Sequence, residues 1–216
     1  MTDNIEVFEQ NSIRIKSDLG AIYVDPFQMR ETPRDAAFLL ITHDHYDHFS
    51  PEDIEKVVSA DTVLIVPEKM EGKAGKVSGM VKKTVTVRPG EKYEVDGLIF
   101  ETIPSYNNMK PFHPKSAQWV GYILILDGKR IYIAGDTDAT KEAKAVKCDV
   151  AVVPVGGTYT MDTKAAAELV NEIRPEVAIP VHYGSVVGKA SDGETFAALV
   201  KDPVKVELKA EYDKKE

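Results

Sequence analysis

Short apolar-rich runs, separated by turn signals, divide the first half of the chain into segments of strand length. They cover residues 5–8, 12–16, 21–24, 35–42, 62–66, 84–87 and 98–103. Runs of this length that are rich in β-branched and aromatic residues are typical of strands. The dipeptides Pro89-Gly90 and Asp96-Gly97 indicate turns before and after residues 91–95. The pattern therefore predicts a first half dominated by strands.

The second half of the chain repeats this outline. Residues 119–126 and 130–134 predict a hairpin across Asp127-Gly128, and two further buried strands are expected at residues 149–155 and 177–181. In both halves of the chain, the predicted strands alternate with helix signals. Periodicity by itself therefore predicts an α/β mixture.

Helix signals follow two of the predicted strands. Ser50 is an N-cap residue ahead of Pro51, and Asp162 takes the same place ahead of a helix over residues 163–174. A third helix is expected from about residue 139. The order strand, loop, helix over residues 35–58 thus recurs in the second half, so the two halves are similar.

Length and composition are those of an ordinary enzyme. A chain of 216 residues can build a substantial core, and we expect a single domain over residues 1–216. Lysine and arginine number 27 against 35 acidic residues, and the net charge of −8 disfavours a nucleic-acid-binding face. No apolar stretch approaches the roughly 20 residues of a membrane helix, and the N-terminus lacks a signal-peptide pattern. We expect a cytoplasmic protein without stable membrane insertion, either monomeric or oligomeric.

The most informative polar segment is His43-Asp44-His45-Tyr46-Asp47-His48, which contains three of the five histidines. A neutral imidazole offers one basic nitrogen to a metal ion, and a carboxylate offers an oxygen. Histidine clusters also occur in purification tags and in exposed loops, but a tag would be terminal and monotonous. The H-x-H-x-D-H spacing therefore favours a metal site.

This motif lies between a predicted strand and a predicted helix. Residues two apart at the end of a strand lean to the same side. His43 and His45 can therefore reach one ion while Asp47 and His48 turn towards another. The spacing indicates two ions rather than one.

Together with Asp25, His113, Asp136 and His182, the motif resembles the metallo-β-lactamase-fold hydrolase superfamily. The resemblance covers residues 21–183, and the motifs stand in the family's order. More narrowly, four segments are similar to a small single-domain branch related to ascorbate-6-phosphate lactonases and N-acylphosphatidylethanolamine phospholipase D-type enzymes: residues 111–115, 134–138, 154–162 and 179–183. The resemblance implies a four-layer αββα sandwich built from two similar halves.

The resemblance also implies a binuclear metal centre. One ion would be held by His43, His45 and His113, a second by Asp47, His48 and His182, and Asp136 would bridge them. Asp25 would accept a hydrogen bond from the other N–H of a ligand histidine and fix its tautomer. The expected cofactors are two divalent ions, zinc first, with manganese or iron as alternatives.

Three of these residues have ordinary alternatives. Asp25 precedes Pro26 and could be a turn residue. His113 follows a long polar loop and precedes a proline, as a surface histidine would. Asp136, like Asp138, could cap the helix expected from about residue 139. Asp136 directly follows Gly135 at a strand end, so it is the better candidate for the bridge.

Two ions in such a site predict hydrolysis of an ester-type bond in a small molecule, a phosphodiester or a lactone, by a hydroxide that bridges them. Asp47 is also the expected catalytic residue, since it is placed to steady or deprotonate the attacking water. Two alternatives use the same ligands. One is an iron-dependent, dioxygenase-like oxidoreductase, indicated by iron and dioxygen consumption. The other is a non-catalytic metal or ligand sensor, indicated by bound metal without turnover.

Substrate recognition is expected from three loops, residues 105–115, 156–161 and 183–189. The candidate substrate-binding residues are Tyr106, Asn107, Lys110, Tyr159 and Tyr183. Lys110 and Lys115 could attract a phosphate or carboxylate, although charged loop residues are usually only solvated. The single cysteine, Cys148, precedes a buried-looking strand and is more typical of a core position than of a nucleophile.

Overall fold

The first sheet uses six strands in the order in which the chain forms them. In the computed structural model, which describes residues 2–210, these are β1 (Ile5–Val7), β2 (Ile13–Ser17), β3 (Gly20–Val24), β4 (Ala36–Leu40), β5 (Val63–Pro67) and β6 (Lys83–Val87). The strands from β1 to β3 pair antiparallel, and those from β3 to β6 pair parallel. The H-x-H-x-D-H motif of residues 43–48 follows β4, inside the parallel part.

The second sheet uses the remaining strands in the same manner. They are β7 (Lys92–Val95), β8 (Leu98–Pro104), β9 (Val120–Leu126), β10 (Lys129–Ile133), β11 (Val150–Pro154), β12 (Val177–Val181) and β13 (Lys205–Val206). Antiparallel pairing from β7 to β10 is followed by parallel pairing from β10 to β13. Each sheet is therefore an antiparallel portion continued by a parallel one, which confirms the two similar halves.

Helices cover the outer faces of both sheets. They are α1 (Pro51–Val57), α2 (Glu71–Ala74), α3 (Lys141–Lys144), α4 (Thr163–Ile173) and α5 (Asp192–Leu199). Ile54 of α1 and Ala74 of α2 pack with the first sheet, whereas Leu169 of α4 and Phe196 of α5 pack with the second. A separate cluster of apolar side chains fills the space between the two sheets and packs their inner faces together. The expected four-layer αββα sandwich is confirmed.

Burial on both faces explains why the central strands appear in the sequence as continuous apolar runs. In β4, Leu40 points into the core between the sheets, and Leu39 points outward under the helices. All five residues of β5 are buried. Parallel strands covered by helices on one side and by a sheet on the other are expected to lack alternation.

Two helices have the N-cap residue that the sequence predicts, and a third helix has a different one. The side chain of Ser50 accepts a hydrogen bond from Asp53 N, and that of Asp162 accepts one from Ala165 N. The helix expected from about residue 139 begins at Lys141, and its N-cap is Thr140. The alternative role of Asp136 or Asp138 as the cap was therefore wrong, because the helix starts further along the chain.

Two helices and two strands were not predicted. β7 alternates polar and apolar residues over only four positions, and β13 has two residues. α2 is a single turn within the glycine- and lysine-containing stretch before residue 80, and α5 contains Gly193. Among residues 2–210, no helix combines the length and the apolar composition needed to span a bilayer.

Candidate metal centre

The polar cluster lies where several strands end. Asp25 directly follows β3, and His182 directly follows β12. The motif that begins at His43 follows β4 after two residues, and Asp136 follows β10 after two residues. His113 comes from the long connection between β8 and β9. Because both sheets present these strand ends on the same side of the sandwich, side chains far apart in sequence converge there.

The backbone at these strand ends is tightly constrained. His182 has a positive φ of 58°. A Cβ atom on Gly156 would lie 2.2 Å from the carbonyl oxygen of His182, so only glycine allows the chain after β11 to approach this close. A Cβ atom on Gly135, where φ is +62°, would lie 3.1 Å from Thr42 Cβ, which is a tight contact across the two sheets. The turn that follows β10 in the second sheet thus packs against the turn that follows β4 in the first.

The first group of candidate ligands contains His43, His45 and His113. His43 Nε2 lies 3.1 Å from His45 Nδ1. His113 Nε2 lies 3.4 Å and His43 Nε2 lies 3.9 Å from Asp136 Oδ2. His43 and His113 are fully buried, whereas His45 is half-buried. The alternative of a surface position for His113 was therefore wrong.

The second group contains Asp47, His48 and His182. The Nε2 atoms of His48 and His182 are 3.3 Å apart. Asp47 Oδ2 lies 3.6 Å from the first and 3.4 Å from the second. Asp136 Oδ1 lies 3.3 Å from each of these two nitrogens. Asp136 therefore directs one carboxylate oxygen to each group, and the structure brings all seven predicted ligands together.

Three buried atoms of the candidate ligands lack a hydrogen-bond partner within residues 2–210, namely His113 Nε2, Asp136 Oδ1 and His182 Nδ1. Leaving buried polar groups unpaired is costly. A cation between the two groups would satisfy His113 Nε2 and Asp136 Oδ1, which face the interior of the cluster. Imidazole nitrogen and carboxylate oxygen also form the donor set that suits zinc, manganese and iron. The residues present therefore fit two divalent ions.

Asp25 contacts the ring nitrogen of His48 that faces away from the cluster. Its Oδ2 lies 2.7 Å from His48 Nδ1 and also accepts hydrogen bonds from the Thr42 hydroxyl at 2.6 Å and from Asn11 Nδ2 at 2.8 Å. Its Oδ1 accepts from Thr42 N at 2.8 Å. The chain does turn at Asp25, where φ is 45°. The carboxylate is nevertheless buried and leaves the Nε2 of His48 facing the cluster.

Electrostatic interactions within the cluster shift several pKa values. Burial lowers the pKa of His43 far below its usual range, and it lowers that of His45 as well. Burial opposes ionisation of Asp47, but a hydrogen bond from His182 and the charge of His48 lower its pKa to about 2. Burial also opposes ionisation of Asp136, yet His182 and His48 hold its pKa well below the ordinary value. Both carboxylates are thus anionic at neutral pH.

Two residues next to the cluster were missed in the sequence. Trp119 places its ring 5.0–5.5 Å from the rings of His43, His45 and His113. Gln10, in the turn between β1 and β2, is fully buried and contacts Asp47 and His182. Neither residue type has a spacing rule that connects it with a metal site.

Asn107 occupies a different place from the one expected for a substrate donor. Its Oδ1 lies 3.1 Å from His113 Nδ1 and accepts a hydrogen bond from His113 N at 3.2 Å. Its Nδ2 donates to the carbonyl oxygen of Tyr159 at 2.9 Å. Asn107 therefore orients the His113 ring.

The other candidate substrate-binding residues differ in burial and in the partners of their polar groups. Tyr183 is buried, and its hydroxyl lies beside Gly193 of α5, which does not support a role as a substrate donor. The Tyr106 hydroxyl donates to Glu142 at 2.7 Å, and Lys110 pairs with Asp138 at 2.9 Å. Tyr159 is partly exposed and contacts the Phe112 ring, so it remains a rim candidate.

Lys115 and the single cysteine, Cys148, do not contribute a reactive group to the site. Lys115 pairs with Glu142 at 2.8 Å. Burial raises the pKa of the Cys148 thiol to about 12, so it is protonated at neutral pH and is not a nucleophile. The chemistry of the site therefore depends on its imidazoles and carboxylates.

Comparison with known proteins gives a consistent result. Residues 4–182 match the family described as Beta-lactamase superfamily domain. A UPF0173 metal-dependent hydrolase of Pyrococcus abyssi is 31% identical over 198 residues, covering 86% of this chain and 87% of that relative. Another, from Thermoplasma acidophilum, is 31% identical over 194 residues and covers 82% of each.

Solved structures show the same architecture. A candidate metal-dependent hydrolase of Parabacteroides distasonis is 31% identical, with a TM-score of 0.80 over 94% of this chain and 91% of that one. Igni18, a metallo hydrolase from Ignicoccus hospitalis, is 23% identical with a TM-score of 0.75 over 94% of both chains. At that lower identity the similarity concerns the fold alone.

Proposed function

Because the chain belongs to the metallo-β-lactamase-fold superfamily, we propose that it is a metal-dependent hydrolase that cleaves an ester-type bond, a phosphodiester or a lactone, in a small molecule. The relatives named as metal-dependent hydrolases support the reaction class. The substrate class is argued from the chemistry of the site. Zinc is the first candidate for the ion, with manganese and iron as alternatives.

One observation carries this proposal more than any other. Asp136 is buried, and its two oxygens face two separate groups of imidazoles, with Oδ1 at 3.3 Å from His48 and His182 and Oδ2 at 3.4 Å from His113. A shared carboxylate holds two cations close together against their mutual repulsion. This arrangement supports a binuclear centre rather than two unrelated sites.

Bound divalent ions would lower the pKa of a water molecule and polarise the carbonyl or phosphoryl oxygen under attack. The chain's own contribution is to hold the ligands ready. Asp25, Thr42 and Asn107 lie beside the Nδ1 atoms of His48, His43 and His113 respectively. The Nε2 atoms of all three rings are thereby turned towards the cluster.

Asp47 is the proposed catalytic residue among the ligands. With a pKa of about 2, its carboxylate is ionised at neutral pH and can accept a hydrogen bond from an attacking water. A metal-activated water would serve as the nucleophile, and the Cys148 thiol, which is protonated at this pH, would not. A small-molecule substrate would enter beside His45, which is half-buried while the other candidate histidine ligands are buried.

The decisive experiment compares metal content and hydrolysis in Asp136→Asn and Asp138→Asn. The first variant removes the charge that faces both groups. The second removes a carboxylate that does not face either group but accepts from Asn108 N and pairs with Lys110. Its Oδ1 also accepts from Asn107 Nδ2 at 3.3 Å, and an asparagine keeps an acceptor for that donor. We expect about two ions per chain in the wild type and in Asp138→Asn, and a clear loss in Asp136→Asn. Hydrolysis of bis(4-nitrophenyl) phosphate and of a lactone panel should fall with it.

Other outcomes identify the alternatives. One iron per chain, unaffected by Asp136→Asn and accompanied by dioxygen consumption, would support an iron-dependent oxidation and contradict hydrolysis. Two bound ions without turnover on phosphodiesters, lactones or carboxylic esters would instead indicate a metal or ligand sensor. Protein purified without a tag or chelator is required for either result.

A further inference from the structure

Large apolar side chains are exposed at the end of the sandwich that carries the candidate metal centre. Within residues 2–210, nine large apolar side chains are exposed, and four of them lie on the loops that border the centre: Tyr46, Met109, Phe112 and Val186. Scattered apolar side chains on a surface are ordinary, but a group of them around one opening marks a binding site. We refer to these four residues, together with Tyr159, as the apolar rim.

Two members of the rim are next to candidate ligands along the chain. Tyr46 lies between His45 and Asp47, and it is 66% exposed. His45 is the half-buried candidate ligand, so the opening of the centre lies beside Tyr46. Phe112 directly precedes His113, which is fully buried. The backbone that positions a candidate ligand therefore also positions each of these two rings.

Phe112 and Tyr159 form an aromatic pair at the edge of the opening. Their ring centroids are 4.7 Å apart and the rings are nearly perpendicular, at 87°, which is a favourable edge-to-face geometry. The carbonyl oxygen of Tyr159 accepts a hydrogen bond of 2.9 Å from Asn107 Nδ2, and Asn107 Oδ1 lies 3.1 Å from His113 Nδ1. The pair is thus held beside the first group of candidate ligands. A preformed surface of this kind loses little conformational freedom on binding.

The two lysines of the neighbouring loop, residues 105–115, already have anionic partners. Lys110 donates to Asp138 Oδ1 at 2.9 Å and also to the carbonyl oxygen of Thr160. Lys115 pairs with Glu142 at 2.8 Å. An anionic group of a substrate would have to displace these carboxylates to reach either charge. The loop therefore offers a substrate apolar contact rather than positive charge.

We propose that the substrate is an uncharged lactone or carboxylic ester with an alkyl or aryl group, and that the apolar rim binds this group. The proposal rests on the hydrolase function proposed above, and it selects apolar lactones and esters over phosphodiesters. Hydrolysis adds one water across the acyl carbon–oxygen bond, which gives a hydroxy acid from a lactone and an acid and an alcohol from an ester. Phe112 and Tyr159 are specificity-determining residues, because apolar surface buried against their rings is removed from water.

The first test detects binding without turnover. N-Hexylacetamide and N-methylacetamide resemble esters, resist hydrolysis and differ only in alkyl length. In methyl NMR spectra of methionine-labelled protein, Met109 reports on the rim. Met80 is the internal control, because it is also exposed but precedes β6, at the opposite end of the first sheet. We expect the hexyl amide to shift the Met109 signal at about tenfold lower concentration than the methyl amide, and to leave Met80 unchanged.

Three results of this titration would overturn the proposal. Equal shifts of Met109 and Met80 would indicate non-specific binding. A Met109 signal that responds to neither amide would show that the rim does not bind an alkyl group. A Met109 signal that changes with protein concentration in the absence of amide would show that a second copy of the chain covers the rim instead.

The second test compares the hydrolysis of γ-butyrolactone and γ-octalactone, which share a ring and differ by an alkyl chain. We expect a higher kcat/KM for γ-octalactone, and Phe112→Ala should lower the ratio of the two values about tenfold. The ratio is insensitive to a general loss of activity. Phe112→Leu keeps apolar bulk and should retain most of the preference.

Ile99→Ala is the matched control for Phe112→Ala. Ile99 is 45% exposed, close to the 42% of Phe112, but it lies near the start of β8, at the end remote from the metal centre. This variant should leave the ratio unchanged. An unchanged ratio in Phe112→Ala, or an equal fall in Ile99→Ala, would contradict a role of the rim in specificity.

The two tests separate this proposal from the hydrolase function. If no lactone, ester or phosphodiester were hydrolysed, the hydrolase function would fail, and the methionine spectra would still decide whether the rim binds an apolar group. A higher kcat/KM for bis(4-nitrophenyl) phosphate than for γ-octalactone would leave the hydrolase function intact and overturn the substrate class.

Discussion

At the residue scale, protonation of His48 competes with metal binding. Burial lowers the pKa of His48, but Asp136 and Asp25 outweigh this effect and raise it to about 9. His48 is therefore protonated at neutral pH, and a metal ion must displace that proton before Nε2 can bind. The pKa values of His43 and His45 are lowered instead, so these imidazoles are already neutral.

Zinc affinity should accordingly rise with pH. Because the pKa of His48 in the folded, metal-free protein is raised to about 9, the competing proton is bound throughout the range below that value. Between pH 6 and 8, displacement of one proton strengthens zinc binding by about tenfold per pH unit. Calorimetric titrations in buffers of different ionisation enthalpy would measure the released proton directly. An affinity that is constant over this range would contradict the prediction.

The sequence pointed to the histidines and aspartates of the cluster more clearly than to the residues that contact them. Histidine and aspartate in the H-x-H-x-D-H spacing have few other uses, so the chemistry of the cluster was accessible from residue type alone. Gln10 could not be found this way, since it contacts His182 across 172 positions and glutamine has no characteristic spacing. Asn107 was noticed, but as a substrate donor, because the sequence does not show that its Oδ1 faces His113.

At the scale of elements, the start of α1 holds the end of the loop that contains residues 43–48. Ser50 Oγ accepts from Asp53 N at 3.3 Å and donates to Asp53 Oδ2 at 2.8 Å. Asp53 in turn accepts from the backbone N–H groups of Gln28 and Met29, at 3.0 and 2.9 Å. The cap of one helix therefore also anchors the loop that follows Asp25.

Ser50→Ala should lower the free energy of unfolding by about 1 kcal/mol, the usual effect of losing an N-cap. The variant removes the acceptor of Asp53 N at the start of α1. Urea denaturation monitored by circular dichroism measures the change. Ser78→Ala, at an exposed position outside α1, serves as the control and should have little effect. Equal stability of the two variants would show that the Ser50 cap does not stabilise the fold.

Elements with strong local signals were predicted, and those that depend on tertiary contacts were not. β4, β5, β11 and β12 are continuous apolar runs because they are buried on both faces, and Ser50 and Asp162 are caps with a defined geometry. β13 has only two residues and exists because it pairs with β12. Nothing in a segment of that length distinguishes a strand from a loop.

At the scale of the whole molecule, the candidate metal centre is formed by both halves. Asp25 and the 43–48 motif belong to the first sheet, and His113, Asp136 and His182 belong to the second. Each candidate group of ligands draws on both. Tyr122 of β9 makes a similar connection in the core, where its buried hydroxyl donates to the carbonyl oxygen of Ile41 at 2.7 Å.

Tyr122→Phe should therefore destabilise the fold by about 1–3 kcal/mol, because the carbonyl oxygen of Ile41 would lose a buried partner. Urea denaturation would measure the loss. Tyr93→Phe is the comparison, since its hydroxyl bonds Arg88 N and Glu91 at a position that is only partly buried. A smaller loss in Tyr122→Phe than in Tyr93→Phe would contradict the importance of this contact between the sheets.

Trp119 is the chain's single tryptophan, and its ring lies within 5.5 Å of three candidate ligand rings. All indole fluorescence of the protein therefore originates beside the first group of candidate ligands. A paramagnetic ion such as Co²⁺ that arrived there would quench this emission. The protein thus carries its own optical reporter, and the rate at which an ion enters or leaves could be followed in unlabelled material.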